Sequence, residues 1–201
     1  MKFPTTLTAT LLLIAFAATG APAQDQPEAN PNPDANRLGL FVGIGAGGGG
    51  STVSYKEGSR NIFEDPIGGG AGSLRVGYAI NSRVAISLEG FGFGAEEDNE
   101  DSGLGAALVT ATWHPAGGGF FLRAGIGGGG GEFIHPDTGE LKKIERRLAG
   151  LFGLGYDWDL GEKFSLGFSV DTITLEADDA LGYEEGHIGS SSLSVQFNWF
   201  I

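Results

Sequence analysis

The chain has 201 residues, of which 37 are Gly and none is Cys. Because each interior Gly costs a helix about 0.5–1 kcal/mol relative to Ala, this composition disfavours long helices and favours a β protein. The 12 Lys and Arg residues against 25 Asp and Glu residues give a net charge of −13 at pH 7. A chain this acidic has no excess of cations to displace the counterions of a phosphate backbone, which argues against nucleic acid as a partner.

The amino terminus predicts a secretory signal peptide. Met1-Lys2 provides a positive start, residues 7–18 form an apolar stretch, and Ala21-Pro22-Ala23 has the small-x-small pattern of a cleavage site. The apolar stretch is too short to cross a bilayer of about 30 Å as a helix. We therefore expect a signal peptide over residues 1–23, removed by cleavage after Ala23.

The next segment predicts a flexible leader. Residues 24–37 contain three Pro and no large apolar residue. Such a segment cannot bury enough apolar surface to order itself. We therefore expect a periplasmic leader over 24–37 and one folded domain over 38–201.

From residue 38 onward, apolar residues alternate with small or polar residues. This period of two is typical of strands whose two faces meet different media. The alternation is interrupted at short links near 81–83, 114–119 and 161–163, and at long links near 47–70, 94–104, 128–145 and 175–190. The interruptions predict eight strands, and short turns that alternate with long loops are the layout of an up-and-down barrel in a membrane.

Aromatic residues indicate which face of the strands is the outside. Seven aromatic residues of the apolar face fall within a few positions of a short turn or of the chain end: Tyr78, Trp113, Phe120, Tyr156, Trp158, Phe164 and Trp199. Rings collected at one level are typical of an interfacial girdle that faces lipid. The sequence therefore predicts an all-β fold, an eight-stranded antiparallel up-and-down transmembrane β-barrel, rather than a soluble periplasmic ligand barrel.

The opposite face of each strand fills the interior, because eight strands enclose a space that side chains can just fill. Four charged residues are predicted to point inward at middle depth: Arg75, Glu89, Arg123 and Asp171. A three-residue turn at 81–83 would pair Ile80 with Val84, and hence Arg75 with Glu89. Since a lone buried charge is costly, we expect Arg75 to neutralise Glu89 and Arg123 to neutralise Asp171. A static plug and an ion gate are both consistent with this pattern.

The signal ending in Ala21-Pro22-Ala23, the eight alternating strands, the stretch 121–127 and the final strand ending in Trp199-Phe200-Ile201 resemble the small OmpA/OmpX-type outer-membrane β-barrel domains. The resemblance covers nearly all of residues 38–201. It implies a monomer in the outer membrane of a Gram-negative bacterium. The alternating aromatics of the final strand imply recognition by the barrel assembly machinery, although the family usually ends in Phe and Ile201 follows Phe200 here.

One basic cluster, residues 142–147, predicts contact with lipid. If a strand begins there, Lys142, Ile144 and Arg146 share the outward face, and Lys142 and Arg146 could meet lipopolysaccharide phosphates. Near-helical spacing of Leu141, Ile144 and Leu148 allows a short helix as a second interpretation.

The chain offers weak signs of other site chemistry. Acidic residues are concentrated in two predicted external loops, at 96–101 and 176–185. Two interpretations are open: the loops bind divalent cations weakly, or they are solvated and repel each other. The nearest nucleophile and base are Ser190 and His187, but their spacing does not match that of lipid A deacylases. We expect no cofactor, no metal site and no catalytic residues.

The sequence therefore predicts a non-enzymatic outer-membrane barrel that acts in envelope structure or surface interaction through four external loops. A small porin-like channel and, behind it, a lipid A-modifying enzyme are the alternatives. The expected partners are outer-membrane lipid and lipopolysaccharide.

Overall fold

The computed structural model describes residues 37–57, 60–63, 65–97, 100–115, 119–134, 141–177 and 184–201. The predicted signal peptide and all of the predicted leader except Arg37 lie outside these residues. In the described part of the chain, no helix is long and apolar enough to cross a membrane.

The described residues form nine strands, and eight of them close a barrel. The strands are β1 (Gly39–Glu57), β2 (Arg60–Phe63), β3 (Ile67–Asn81), β4 (Val84–Glu97), β5 (Glu100–Trp113), β6 (Phe120–Ile134), β7 (Leu141–Asp159), β8 (Phe164–Glu176) and β9 (Glu184–Phe200). All pairings are antiparallel and follow chain order, and β1 pairs with β9. The short strand β2 pairs with the end of β1 and stands outside the closed ring. The predicted eight-stranded antiparallel barrel is confirmed.

The strands extend far into the segments predicted as long links. Residues 47–50 of β1 pair with residues 68–71 of β3, and almost all of these residues are Gly. Backbone hydrogen bonds continue through these residues. Because glycine occupies both faces of the strands, the sequence shows no alternation of apolar and polar residues there. The prediction of a loop over 47–70 is therefore wrong for most of its length, and the sequence did not predict β2.

The β3–β4 turn differs in detail from the predicted one. Asn81 pairs with Val84 across a two-residue turn, and a register shift lies between Ala79 and Asn81. The Asn81 side chain holds the turn, because its Oδ1 accepts hydrogen bonds from the backbone N–H groups of Arg83 at 2.8 Å and Val84 at 2.9 Å. The predicted pairing of Ile80 with Val84 is wrong, whereas Arg75 and Glu89 lie directly opposite each other as predicted.

The outer surface of the barrel carries a continuous band of large apolar side chains. All three Trp residues face outward, with exposed fractions of 50% for Trp113, 50% for Trp158 and 47% for Trp199. On β7 the outward apolar positions run from Leu148 to Trp158, which is about 33 Å along a strand that rises about 3.3 Å per residue. At a tilt of about 40° this gives an apolar band about 25 Å high, the height typical of outer-membrane barrels.

The interior consists of two layers. Toward the long-loop end, an apolar cluster fills the barrel; its members are Ala71, Phe91, Phe93, Leu104, Ala106, Leu108, Phe133, Ile144, Ala149, Leu151, Ile173, Leu175, Ala177 and Ile188. Toward the short-turn end, the buried side chains are mostly polar or charged. Large rings fit because glycine faces them: the ring of Phe41 lies against Gly77 and that of Phe121 against Gly155.

Candidate functional site

The polar interior layer is the candidate site, because it gathers charges that water cannot solvate. Arg75, Glu89, Arg123 and Asp171 all lie inside the barrel, and none is more than 4% exposed. Each of these side chains points inward because it occupies one of the inward-facing positions, every second residue, of its strand.

Arg123 and Asp171 form the tightest ion pair of this layer. Arg123 Nη2 lies 2.6 Å from Asp171 Oδ1. The second carboxylate oxygen accepts a hydrogen bond of 2.6 Å from Ser169 Oγ. Gly153 lies directly opposite Asp171 on β7, and a Cβ at that position would collide with the carboxylate. The barrel wall therefore has a recess that holds Asp171 in place.

Arg75 and Glu89 are cross-strand neighbours as predicted, but their side chains make no direct hydrogen bond or ion pair. Arg75 Nη2 instead donates to Gln196 Oε1 at 2.7 Å and to Asn198 Oδ1 at 3.1 Å. Glu89 faces Arg123, with Oε1 at 3.8 Å from Arg123 Nη1. Because the interior is narrow, a long arginine side chain reaches strands that are not its neighbours, and pairing rules between adjacent strands do not capture this.

Two amides and one carboxylate complete the network, and the sequence analysis did not single them out. Gln196 Nε2 donates to Asp157 Oδ1 at 2.6 Å, and Asn198 Nδ2 donates to Asp157 Oδ2 at 3.4 Å. The amides thus accept from Arg75 on one side and donate to Asp157 on the other. All three residues belong to the inward set of their strands, so alternation was the signal that could have found them.

A second polar group lies at the short-turn end of the barrel. Arg37 Nε donates to Asp159 Oδ1 at 2.8 Å, and its Nη2 donates to the backbone oxygen of Asp157 at 3.4 Å. Arg37, assigned from the sequence to the flexible leader, is therefore bound to the barrel and only 8% exposed. His114 follows β5 at this end, and burial, then the nearby Arg37, lower the pKa of its imidazole to about 4.

Comparison with known proteins identifies the fold. Neisserial surface protein A aligns with a TM-score of 0.55 and 10% identity, over 81% of this chain and 97% of that one. The chain has the fold of the small OmpA/OmpX-type outer-membrane barrels. Ail of Yersinia pestis aligns with a TM-score of 0.49 and 13% identity (80% and 99% covered), and OprG of Pseudomonas aeruginosa with 0.45 and 13% (81% and 96% covered). No family model and no curated protein sequence matches the chain.

The seven girdle residues all lie on the outer surface. Their exposed fractions run from 38% for Tyr156 to 54% for Tyr78. Several rings contact one another, including Tyr156 with Trp158, whose centroids are 5.2 Å apart, and Phe164 with Trp199 at 6.3 Å. They form an outward aromatic belt at the short-turn end.

The basic cluster lies in strand β7, which excludes the helical interpretation, and a bulge divides it between the two faces. The register shifts near Gly129 and Gly131 of β6, so that Ile144 points inward and is 4% exposed. Lys142 pairs with the buried Phe133 and shares this inward face, so the prediction that Lys142 points outward is wrong. Arg146 is exposed as predicted, and its aliphatic stem lies beside Gly128. Lys143 takes the outward place expected for Lys142.

The other weak signs give no assembled site among the described residues. Most of the two acidic loops lies outside the described side chains. Within the described residues, no group of three or more His, Cys, Asp or Glu could hold a metal ion. His187 points outward and Ser190 is buried inside the barrel, so this pair cannot act together as base and nucleophile.

Proposed function

We propose that this protein is a closed, non-enzymatic barrel of the bacterial outer membrane that acts in envelope structure or surface interaction through its external loops. Location in the outer membrane is supported by the predicted signal peptide and by the outward apolar band. A closed antiparallel barrel satisfies the hydrogen bonds of every backbone group within lipid. An apolar band of this size would be unfavourable if it were exposed to water.

The observation that carries this proposal is the filled interior. The members of the apolar cluster at the long-loop end are at most 9% exposed, and Phe121 and Arg123 are 0% and 1% exposed below them. An ion would have to separate both layers to pass. We therefore expect the protein to interact with other molecules through its outer surface and its loops.

Conductance in planar bilayers tests the proposal. We expect the protein, refolded and inserted, to give no steady conductance under conditions in which a sixteen-stranded porin conducts. Boiled and unboiled samples of the outer-membrane fraction should differ in gel mobility, which reports a folded barrel. A stable, ohmic conductance would overturn the closed interior, and recovery of the protein in the soluble periplasmic fraction would overturn its location.

An ion gate is the second candidate, favoured by the position of Arg123 between two carboxylates. Arg123 Nη2 contacts Asp171 at 2.6 Å, while Glu89 lies at 3.8 Å from Nη1 and has no hydrogen-bond partner on either oxygen. A shift of Arg123 toward Glu89 would loosen the network. If this occurs, Asp171→Asn should raise conductance, and Glu89→Gln should not.

We propose lipopolysaccharide as a lipid partner at the long-loop end of β7. Lys143 and Arg146 are exposed on the outer face beside Leu148, where the apolar band ends, although Glu145 lies next to them. Cations at this level can pair with phosphate groups of the outer leaflet. Added lipopolysaccharide should raise the unfolding temperature of the protein in detergent; Arg146→Glu should reduce this shift, and Arg83→Glu at the opposite end should not.

The last strand supports a role in assembly. Phe197 and Trp199 of β9 point outward at alternate positions, while the inward Gln196 and Asn198 belong to the interior network. We propose that the outward aromatics are read by the assembly machinery. Phe197→Ala with Trp199→Ala should lower the amount of heat-modifiable protein in the outer membrane more than Val195→Ala does.

A further inference from the structure

A small cavity lies inside the barrel at the short-turn end. Its volume is about 40 Å³, and Asn81 and Ser82 at the β3–β4 turn form part of its lining together with Arg75 and Asn198. A cavity of this size has room for a few water molecules or for one small ion.

Three buried nitrogen atoms that lack partners belong to residues lining this cavity. They are Arg37 Nη1, Arg75 Nε and His114 Nε2. The three residues come from separate parts of the chain, and none is more than 8% exposed. Buried polar groups in folded proteins are almost always hydrogen-bonded, so the two guanidinium N–H groups at this cavity call for a common acceptor. The imidazole of His114, whose pKa is lowered to about 4, is a neutral neighbour of that acceptor.

The chemistry of the lining indicates an acceptor as that partner. A guanidinium offers N–H donors and no acceptor, and it does not lose its proton. The oxygens of Asp157, the carboxylate of the lining, already accept from Gln196 and Asn198. The lining holds two arginines and this one aspartate, and Asp159, outside the lining, pairs with Arg37 at 2.7 Å. A cation would therefore meet the guanidinium N–H donors, whereas an anionic oxygen would accept from them.

The two guanidinium groups are also held in position. Arg37 is fixed by Asp159 and by the backbone oxygen of Asp157, and Arg75 by Gln196 and Asn198. Gly43 provides the space for Arg75, since a Cβ there would come within 3.2 Å of Nε. Donors that are fixed in advance bind an anion without a further ordering cost.

We propose that this cavity is a binding site for a small oxyanion of the phosphate class, held by Arg37 Nη1 and Arg75 Nε with His114 beside them. The oxyanion has two possible sources, free phosphate in solution and the phosphate of a lipid headgroup. Both present the same oxygens to the same donors.

Titration with inorganic phosphate tests the proposal. The protein is refolded in a non-ionic, phosphate-free detergent, and the Nε–H signal of Arg75 is followed by NMR at constant ionic strength. We expect a saturable shift of this signal. Arg37→Gln should weaken binding about tenfold, the loss of one charge-assisted hydrogen bond. Arg83→Gln is the matched control, because Arg83 is an exposed arginine at the same end that does not line the cavity.

The outcomes separate an anion site from its alternatives. No saturable shift in the wild-type protein means that the cavity holds only water, and this result overturns the proposal. An equal loss in Arg37→Gln and Arg83→Gln means general attraction of anions, and it also overturns the proposal. Neither result bears on whether the barrel conducts.

A membrane sample identifies the source. In phospholipid nanodiscs without added phosphate, a headgroup in the site would hold the Arg75 signal at its bound position, and added phosphate would not move it. A signal that still titrates indicates free phosphate. Each of these results supports the site, whereas a signal that stays at the unbound position and does not titrate overturns it.

Discussion

Arg123 of β6 and Asp171 of β8 join two strands that are not neighbours, through a contact of 2.6 Å between Nη2 and Oδ1. The pair crosses the interior past β7, where Gly153 leaves room for the carboxylate. Their side chains are 1% and 6% exposed, so solvent screens the attraction little. The contact therefore links β6 to β8 across the interior of the barrel.

Loss of one partner of this pair should be strongly destabilising. Asp171→Ala leaves Arg123 with the more distant Glu89 alone, and breaking a buried pair typically costs about 3–5 kcal/mol. Urea unfolding of the protein in lipid vesicles, followed by tryptophan fluorescence, measures this loss. The triple variant Arg123→Met, Asp171→Ala and Glu89→Gln should recover part of it, because it removes the arginine together with both carboxylates that face it. Equal stability of the single variant and the wild type would contradict the role of the pair.

The recess at Gly153 gives a second prediction. Gly153→Ala introduces a Cβ that collides with the Asp171 carboxylate and must displace it from Arg123. Gly150→Ala on the same strand points outward and meets no atom within 4 Å. We expect Gly153→Ala to lower the free energy of unfolding by about 1–3 kcal/mol, the usual cost of overpacking, and Gly150→Ala to leave it unchanged or higher. A similar loss in both variants would mean that glycine acts there through the backbone and not through this recess.

Alternation accounts for most of what could be predicted from the sequence. It assigns Arg75, Glu89 and Arg123 to the inside and Trp158 to the outside, because a strand has only two faces. It does not predict the bulge that places Lys142 on the inward face. The register shifts opposite glycines, which have no side chain to indicate which face they belong to. It also cannot predict that Glu89 faces Arg123 instead of Arg75, because that choice depends on reach across the interior.

The burial of His114 predicts a pH dependence of stability. Burial and the nearby Arg37 lower the pKa of the folded imidazole to about 4, whereas an unfolded histidine titrates near pH 6.5. Between these values the unfolded chain binds a proton that the folded barrel does not, so the free energy of unfolding falls as the pH is lowered from about 6.5 to about 4. Urea unfolding at pH 7.5 and pH 5 measures the change.

Replacement of the imidazole isolates this contribution from that of the carboxylates. His114→Gln should lose less stability than the wild type between pH 7.5 and pH 5, because Gln takes up no proton. His187→Gln replaces an exposed histidine on the outer face and serves as the matched control. If His114→Gln and the wild type show the same pH dependence, His114 is not the group that titrates.

The outward tryptophans predict the depth of the barrel in the bilayer. Trp113, Trp158 and Trp199 are about half exposed and lie in the aromatic belt at one end of the barrel. Three variants that each retain one Trp, with the other two changed to Phe, can be refolded into vesicles of brominated lipid. Because rings of such a belt lie at the headgroup level, bromine near the headgroup should quench each Trp more than bromine near the chain end. If the bromine position that quenches most strongly differs between the three Trp residues, they do not form a common belt. If no Trp is quenched, these side chains do not contact lipid.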